Sequence, residues 1–335
     1  MTRLDAPPLA AARLGPVVLL RAPRPSADEL PAFLLRGDAR EPALVELLYG
    51  HDADELAVVA GVAAHMPPDA LTAAAVGGVQ LGATTHGFVA RRGLPGVYGA
   101  ELLRRLGDVS GSLDASIAAH LGAVLLRSLA DVPPQLPGTI GELVVGWDGR
   151  VACRDPSPAF DYGSAMHRAR WLSPEMIRGA ALTTASRVHE VAAVVFALLT
   201  GRHFVPARDG DNMAALVAVL REPRTPVRRL RSDLDAGLAG ALDASLAIEP
   251  AARPPLAALV AALARCAAGA TASSVAALVA GLFPREREAS LAWWDDARGL
   301  DVGSAPALPV MAAPPPPADL AAAVRELIER RTTLT

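Results

Sequence analysis

The side chains able to do chemistry in this 335-residue chain come from a narrow set. There is no lysine: all 32 basic residues are arginines, and Asn212 is the one asparagine. No site in the chain can therefore set an ammonium against a phosphate, and every cationic role falls to a guanidinium. Arginine is concentrated in a proline-broken connector at Arg221, Arg224, Arg228, Arg229 and Arg231. Such a run could grip phosphate or an acidic partner by two-point hydrogen bonding, or it could be a solvated loop. Cys153 and Cys266 lie far apart in apolar surroundings and outside any metal-ligand spacing, which predicts buried, reduced thiols. No Ser/His/Asp constellation is present, and His120, set in a helical apolar pattern, reads as structural.

The elements that must position these residues are organised around residues 171–201, a proline-containing turn followed by a long apolar helix. Val188, Val191, Ala192, Val194, Val195, Phe196, Leu198 and Leu199 put apolar side chains on nearly every side, so the helix belongs inside a sizeable helical core. Strands are expected over 16–22, 32–36 and 43–48, with two more within 76–92, and a helix over 52–65. Further helices are expected over 100–106, 113–129, 213–220, 234–246, 254–267, 274–283 and 286–294. A Pro/Ala-rich extended linker over 305–317 then leads to an amphipathic helix over 318–331. Leu320, Val324, Leu327 and Ile328 form the stripe of that last helix, which must dock on this chain or in a partner's groove because so short a helix is marginal alone.

Three strings follow one another: Ser173-Pro174-Glu175, Leu198-Leu199-Thr200-Gly201 and Glu249-Pro250-Ala251-Ala252-Arg253-Pro254. In order and spacing they resemble the C-terminal lobe of bacterial Ser/Thr protein kinases, where the first closes the activation segment, the second ends the buried central helix and the third opens the last helix. The resemblance implies an α+β, two-lobed protein kinase-like fold. A small β-rich N-lobe would occupy residues 1–93 and a large, mainly helical C-lobe 94–268. A helical extension over 269–304, the linker over 305–317 and the C-terminal helix over 318–335 would follow. It also implies a structural ion pair between Glu175 and Arg253.

The same resemblance implies that the catalytic positions are degenerate. The loop expected to cover nucleotide phosphates, Pro23-Arg24-Pro25-Ser26-Ala27, contains no glycine, and its prolines remove amide donors. Glu46 stands where the family carries its phosphate-anchoring lysine. Glu55, near the family's lysine-pairing glutamate, is then expected as a solvated helix charge. Gln135-Leu136-Pro137 replaces His-Arg-Asp, so Pro137 stands where the proton acceptor would be, and Glu142 replaces the metal-binding asparagine. Asp155, in Asp155-Pro156-Ser157, is the one retained candidate for cofactor binding, through a metal ion. Its other reading, favoured here, is a turn residue bonding its own backbone. Arg187 replaces the aspartate that anchors the catalytic loop, which predicts a loop no longer held. Ser164, Ser173, Thr183 and Thr184 lie in or near a short activation segment and are not expected to be regulatory.

A hydrophobic content of 52% with aromatics at 4% means a core of Ala, Leu and Val, and a net charge of -3 lacks the basic footprint of a nucleic-acid binder. The apolar run 17–20 is too short for a signal peptide, and the region 256–283 reads as two soluble helices rather than a membrane span. The expected protein is cytoplasmic, binds no nucleic acid or membrane, and takes Mg·ATP weakly or not at all. It is expected to be a pseudokinase that acts as a protein-binding or regulatory scaffold. The alternatives are an atypical nucleotide-dependent phosphotransferase using Asp155 and Glu142, and a purely structural interaction domain.

Overall fold

Alternating apolar residues in the first ninety positions give strands with two buried faces, and each face has its own partner. The computed structural model describes residues 7–21, 29–48, 52–109, 111–136, 138–156, 170–205 and 212–333. Among them, strands β1 (Ala12–Leu14), β2 (Val17–Leu19), β3 (Leu30–Arg36), β4 (Ala39–Leu48), β5 (Ala73–Leu81), β6 (Thr84–Arg92) and β10 (Val310–Ala312) form one antiparallel sheet. Its order is β1-β2-β3-β4-β6-β5-β10. Leu14, Val17, Leu19, Ala32, Leu34, Val45, Val79 and Phe88 share one apolar cluster on its inner face. The intervening Val18, Leu20 and Phe33 point the other way. That period of two is the strand pleat itself.

The outer face has two covers. Helix α1 (Ala53–His65) starts on an Asp52 cap and lays Leu56 and Val59 against Val89. Beside it, Trp293 and Trp294 of α10 (Pro284–Arg298) fill the space over Val18, Leu20 and Phe33. The tryptophan pair, open in the sequence between packing anchor and exposed contact, is a packing anchor: both rings are buried, and Trp294 meets Phe33 edge-on with centroids 5.7 Å apart. Arg40 of β4 caps the end of α10 by donating to the Arg298 and Leu300 carbonyls, both at 2.7 Å, where a cation is favoured by the helix dipole.

The helical half is built on α5 (Thr184–Thr200), whose residues from Ser186 to Leu199 are all buried. A Thr183–Ser186 capping box starts it, and Gly201 ends it. It packs against α3 (Ala115–Ser128), α7 (Ala236–Ser245) and α8 (Leu256–Ala267). Around them stand α2 (Gly99–Asp108), α4 (Pro174–Ile177), α6 (Asn212–Arg221) and α9 (Ala272–Leu282). A three-stranded sheet of β7 (Gly96–Tyr98), β8 (Leu143–Gly146) and β9 (Val151–Cys153) lines the side that faces the large sheet.

The C-terminal segment, expected as an extended linker, also pairs with the sheet. Pro306 accepts from the Arg13 amide (2.8 Å) and Leu308 donates to the Arg13 carbonyl (2.9 Å), so the segment bridges β1. Two residues later Val310, Met311 and Ala312 pair with Val79, Gly78 and Gly77 of β5. One stretch of chain thus ties both edges of the sheet, with Leu308 against the inner cluster. A proline-rich stretch hides this from a sequence reading, because proline normally excludes a strand interior; here the prolines flank the paired residues. Helix α11 (Leu320–Thr333) then docks in cis on α1, with Leu320, Val324 and Leu327 buried and Arg330 3.0 Å from Asp54.

Since Trp294 joins α10 to the sheet, Trp294→Ala should lower the unfolding free energy by about 3–5 kcal/mol, the range for truncating a buried large aromatic residue. Urea denaturation followed by circular dichroism measures it; a loss under about 1 kcal/mol would mean that α10 does not support the sheet.

Candidate functional site in the cleft

The large sheet and the helical half face each other across a cleft where four short segments converge. These are the end of β4, the end of β6, the 92–96 connector and the residues after β9. Register puts Glu46 opposite Val89 on adjacent strands, so Arg91, two positions along, reaches over the same face. Its Nη1 donates to Glu46 Oε2 at 2.6 Å, and its Nε donates to Asp155 Oδ1 in a second ion pair. Arg91 is 4% exposed and Asp155 1%. Burial alone would depress the guanidinium, but Asp155 and Glu46 outweigh both burial and the neighbouring Arg154, so its pKa lies above the ordinary value and the charge is kept.

A second pair of opposite polarity lies alongside. Arg154 donates to Glu29 Oε1 at 2.6 Å, and the Tyr98 hydroxyl donates to the other Glu29 oxygen at 2.5 Å. Burial and the Glu29 carboxylate both push the Tyr98 pKa up, so the phenol stays protonated and remains a donor. Successive residues 154 and 155, one cationic and one anionic, therefore each hold a residue of the large sheet's half. Glu29, Arg91, Tyr98 and Arg154, with Leu44, Leu71 and Leu94, line a cavity of about 50 Å³.

The other expected positions separate from this cluster. Glu142 ends a short 3-10 turn (Ile140–Glu142), and its Oε2 accepts from the Thr139 amide and hydroxyl, both at 2.7 Å. That carboxylate oxygen is held by local capping. Asp155 makes the Arg91 contact in place of the expected bond to its own backbone; its Oδ2 has no hydrogen-bond partner among the described residues. Glu55 is 6% exposed rather than solvated, because α1 turns that side inward. No group of three or more His, Cys, Asp or Glu side chains able to hold a metal ion occurs among the described residues. Pro137, the Pro23 to Ala27 loop, Ser157 and Ser164 lie outside the described residues.

Arg187 requires a correction. The loop it was expected to release is held, with polarity reversed. Arg187 Nη2 donates to the carbonyls of Leu136 (2.8 Å) and Pro133 (3.3 Å). Its Nη1 lies 3.1 Å from Glu190 Oε2, which also accepts from the Gly138 amide at 3.1 Å. An aspartate would collect amides; a guanidinium collects carbonyls, and Glu190 takes over the amide. Burial, with Arg187 and the Gly138 amide opposing it, raises the Glu190 pKa from 4.5 to about 7.

Glu175 and Arg253 meet beneath this loop in a two-point pair of 2.6 and 2.8 Å. Although burial opposes it, the Arg253 and Ser186 hydrogen bonds hold the Glu175 pKa below the ordinary value. Arg253 also donates to the carbonyls of Ala185, Ala247 and Ile248, tying α5 to the chain before α8. In the arginine-rich connector, Arg224 donates to Leu246, Ala218 and Val219 carbonyls. Arg231 donates to those of Leu113 and Leu199. Arg224 and Arg231 are thus each held by several carbonyls; Arg221, Arg228 and Arg229 are exposed, with Arg228 donating to the Ser232 carbonyl at 3.4 Å. Cys153 is buried and Cys266 half-buried, both free, and burial raises both thiol pKa values. His120 is half-buried in α3, where burial and then Arg127 lower its pKa.

Arg253→Ala should cost about 3–5 kcal/mol of stability by leaving Glu175 buried and unpaired; an unchanged Tm would remove the pair from the structural account. The raised Glu190 pKa sets a sign. The folded state keeps a proton that the unfolded state loses above pH 4.5, so this residue's contribution falls as pH rises from 4.5 to about 7. Subtracting the Tm–pH curve of Glu190→Gln from that of the wild type should show a decline across that window, and a flat difference would contradict the shift.

No protein-family profile matches the chain. A stretch of 139 residues, 41% of the chain, is 32% identical to the Ser/Thr-protein kinase PknK of Mycobacterium bovis and of two Mycobacterium tuberculosis strains. The match covers 11% of each relative's length. It supports a kinase-like relationship for this chain.

Proposed function

We propose that the chain is a degenerate, two-lobed kinase-like protein that does not transfer phosphate and serves as a protein-binding or regulatory scaffold. In this reading the large sheet with α1 is the smaller lobe, and the helical half is the larger. The observation that carries it is the position of Arg91. Phosphoryl transfer needs cations directed at the phosphates, a metal cage and an acceptor for the substrate proton. Here the one buried guanidinium between the halves among the described residues is neutralised by Glu46 and Asp155, and the acidic residue retained for a metal ion is the partner of that guanidinium. The phosphotransferase alternative would need Glu142 as a ligand as well, yet its Oε2 already accepts two hydrogen bonds from Thr139. Two cross-cleft ion pairs supply closure without a nucleotide. The rigid body that results is suited to presenting surfaces to a protein partner in a reducing compartment, consistent with the two free cysteines.

Thermal unfolding in millimolar Mg·ATP is the test, because a ligand that binds only the folded state raises Tm with concentration. The expected result is no upward shift for the wild-type protein, and no labelled phosphate on the chain or on a general kinase substrate. A concentration-dependent rise that Asp155→Ala abolishes would return the chain to the nucleotide-using class.

A further inference from the structure

The connection between α1 and β5 touches the cleft directly. α1 ends at His65, β5 begins at Ala73, and between them the Leu71 amide donates to the Cys153 carbonyl at 2.8 Å while Leu71 bridges Arg154. The strand so contacted continues into Arg154 and Asp155, the two residues that reach across the cleft. Met66 and Ala70 belong to the same apolar cluster as Cys153. α1, the 66–72 connection and β5 thus form one unit with two arms, joined at the point that meets the cleft.

The C-terminal segment grips both arms. β10 pairs with β5, and α11 packs on α1. Both contacts are fitted by glycines. A Cβ on Gly77 would lie 2.4 Å from the Met311 carbonyl oxygen, and a Cβ on Gly61 would lie 2.8 Å from Leu320 Cδ1 and 3.2 Å from Pro317. The strand part of the grip lies at the surface, the helix part in the core. All three β10 residues are exposed, and α11 buries Leu320, Val324 and Leu327. Four consecutive prolines, Pro314 to Pro317, separate the two contacts along the chain.

From this geometry we infer that residues 306–333 are a releasable strap whose docking holds the cleft closed. Strap docking and the Arg91–Asp155 and Glu29–Arg154 pairs are coupled through the 66–72 connection, so undocking one frees the other. The inference deepens the closed-cleft reading above by naming its regulation, and it is tested by a thiol, not by nucleotide.

Cys153 is fully buried, and its main-chain carbonyl accepts from the Leu71 amide of the connection, so its thiol is the reporter of that connection's movement. The experiment uses the full chain with Cys266→Ala, leaving Cys153 as the one thiol, and follows its reaction with a chromogenic disulfide reagent. Strap release is produced separately by Gly61→Leu, by Leu320→Asp with Val324→Asp, and by Gly77→Ala, and is scored in the same samples by tryptic cleavage after Arg325. The Cys153 rate should rise tenfold or more in every variant whose tail becomes cleavable. Leu242→Ala in α7, chosen to lower Tm without touching the strap, should leave the rate within about twofold. An unchanged rate in variants with a cleavable tail overturns the inference, and so does an equal rise in Leu242→Ala. A nucleotide-induced Tm shift would count against the scaffold reading and leave this result standing.

Discussion

A buried guanidinium between two carboxylates is the constraint on which this cleft depends. Taking Arg91 out of water is expensive, and the expense is met only if both neighbours stay ionised and close. Once that triad exists, one oxygen each of Glu46 and Asp155 is committed to Arg91, and the large sheet and the helical half are joined by a contact whose rupture would leave charges stranded. Arginine suits the position better than lysine. It does not lose its proton when buried, and its fork reaches two acceptors in different directions.

The same preference recurs where the chain has to satisfy carbonyls. Arg40, Arg187, Arg224, Arg231 and Arg253 each donate to main-chain oxygens, several of them at helix ends where the dipole adds to the attraction. A chain without lysine has used its guanidinium groups as internal caps. These five of the 32 arginines thus serve the main chain in a protein whose core is built largely of aliphatic side chains.

What could be read in the sequence was what depends on local periodicity. The helices at Ala53–His65, Ala115–Ser128 and Thr184–Thr200 lie where apolar spacing and capping residues put them. The partners of Arg91 were not legible. Glu46 and Asp155 lie far from it along the chain, and only strand register and the chain path after β9 bring the three together. Arg187 was misread because a change of charge was taken as the loss of an anchor; donor and acceptor roles had exchanged, with Glu190 on the next turn of the same helix as the compensating change. β10 escaped because prolines dominated its surroundings, and the short pairing run between them carries almost no pattern of its own.

The way the sheet is finished bears on how the chain can be made. Its first strands lie near residue 12 and its closing strand near residue 311, so contacts of very large sequence separation complete the inner apolar cluster. During synthesis from the N-terminus, β1 to β6 emerge long before the segment that ties their two edges. Until then those edges stand open, able to pair with other chains. The half that is made first is therefore finished last, and the aliphatic helical half is assembled while its neighbour is still incomplete.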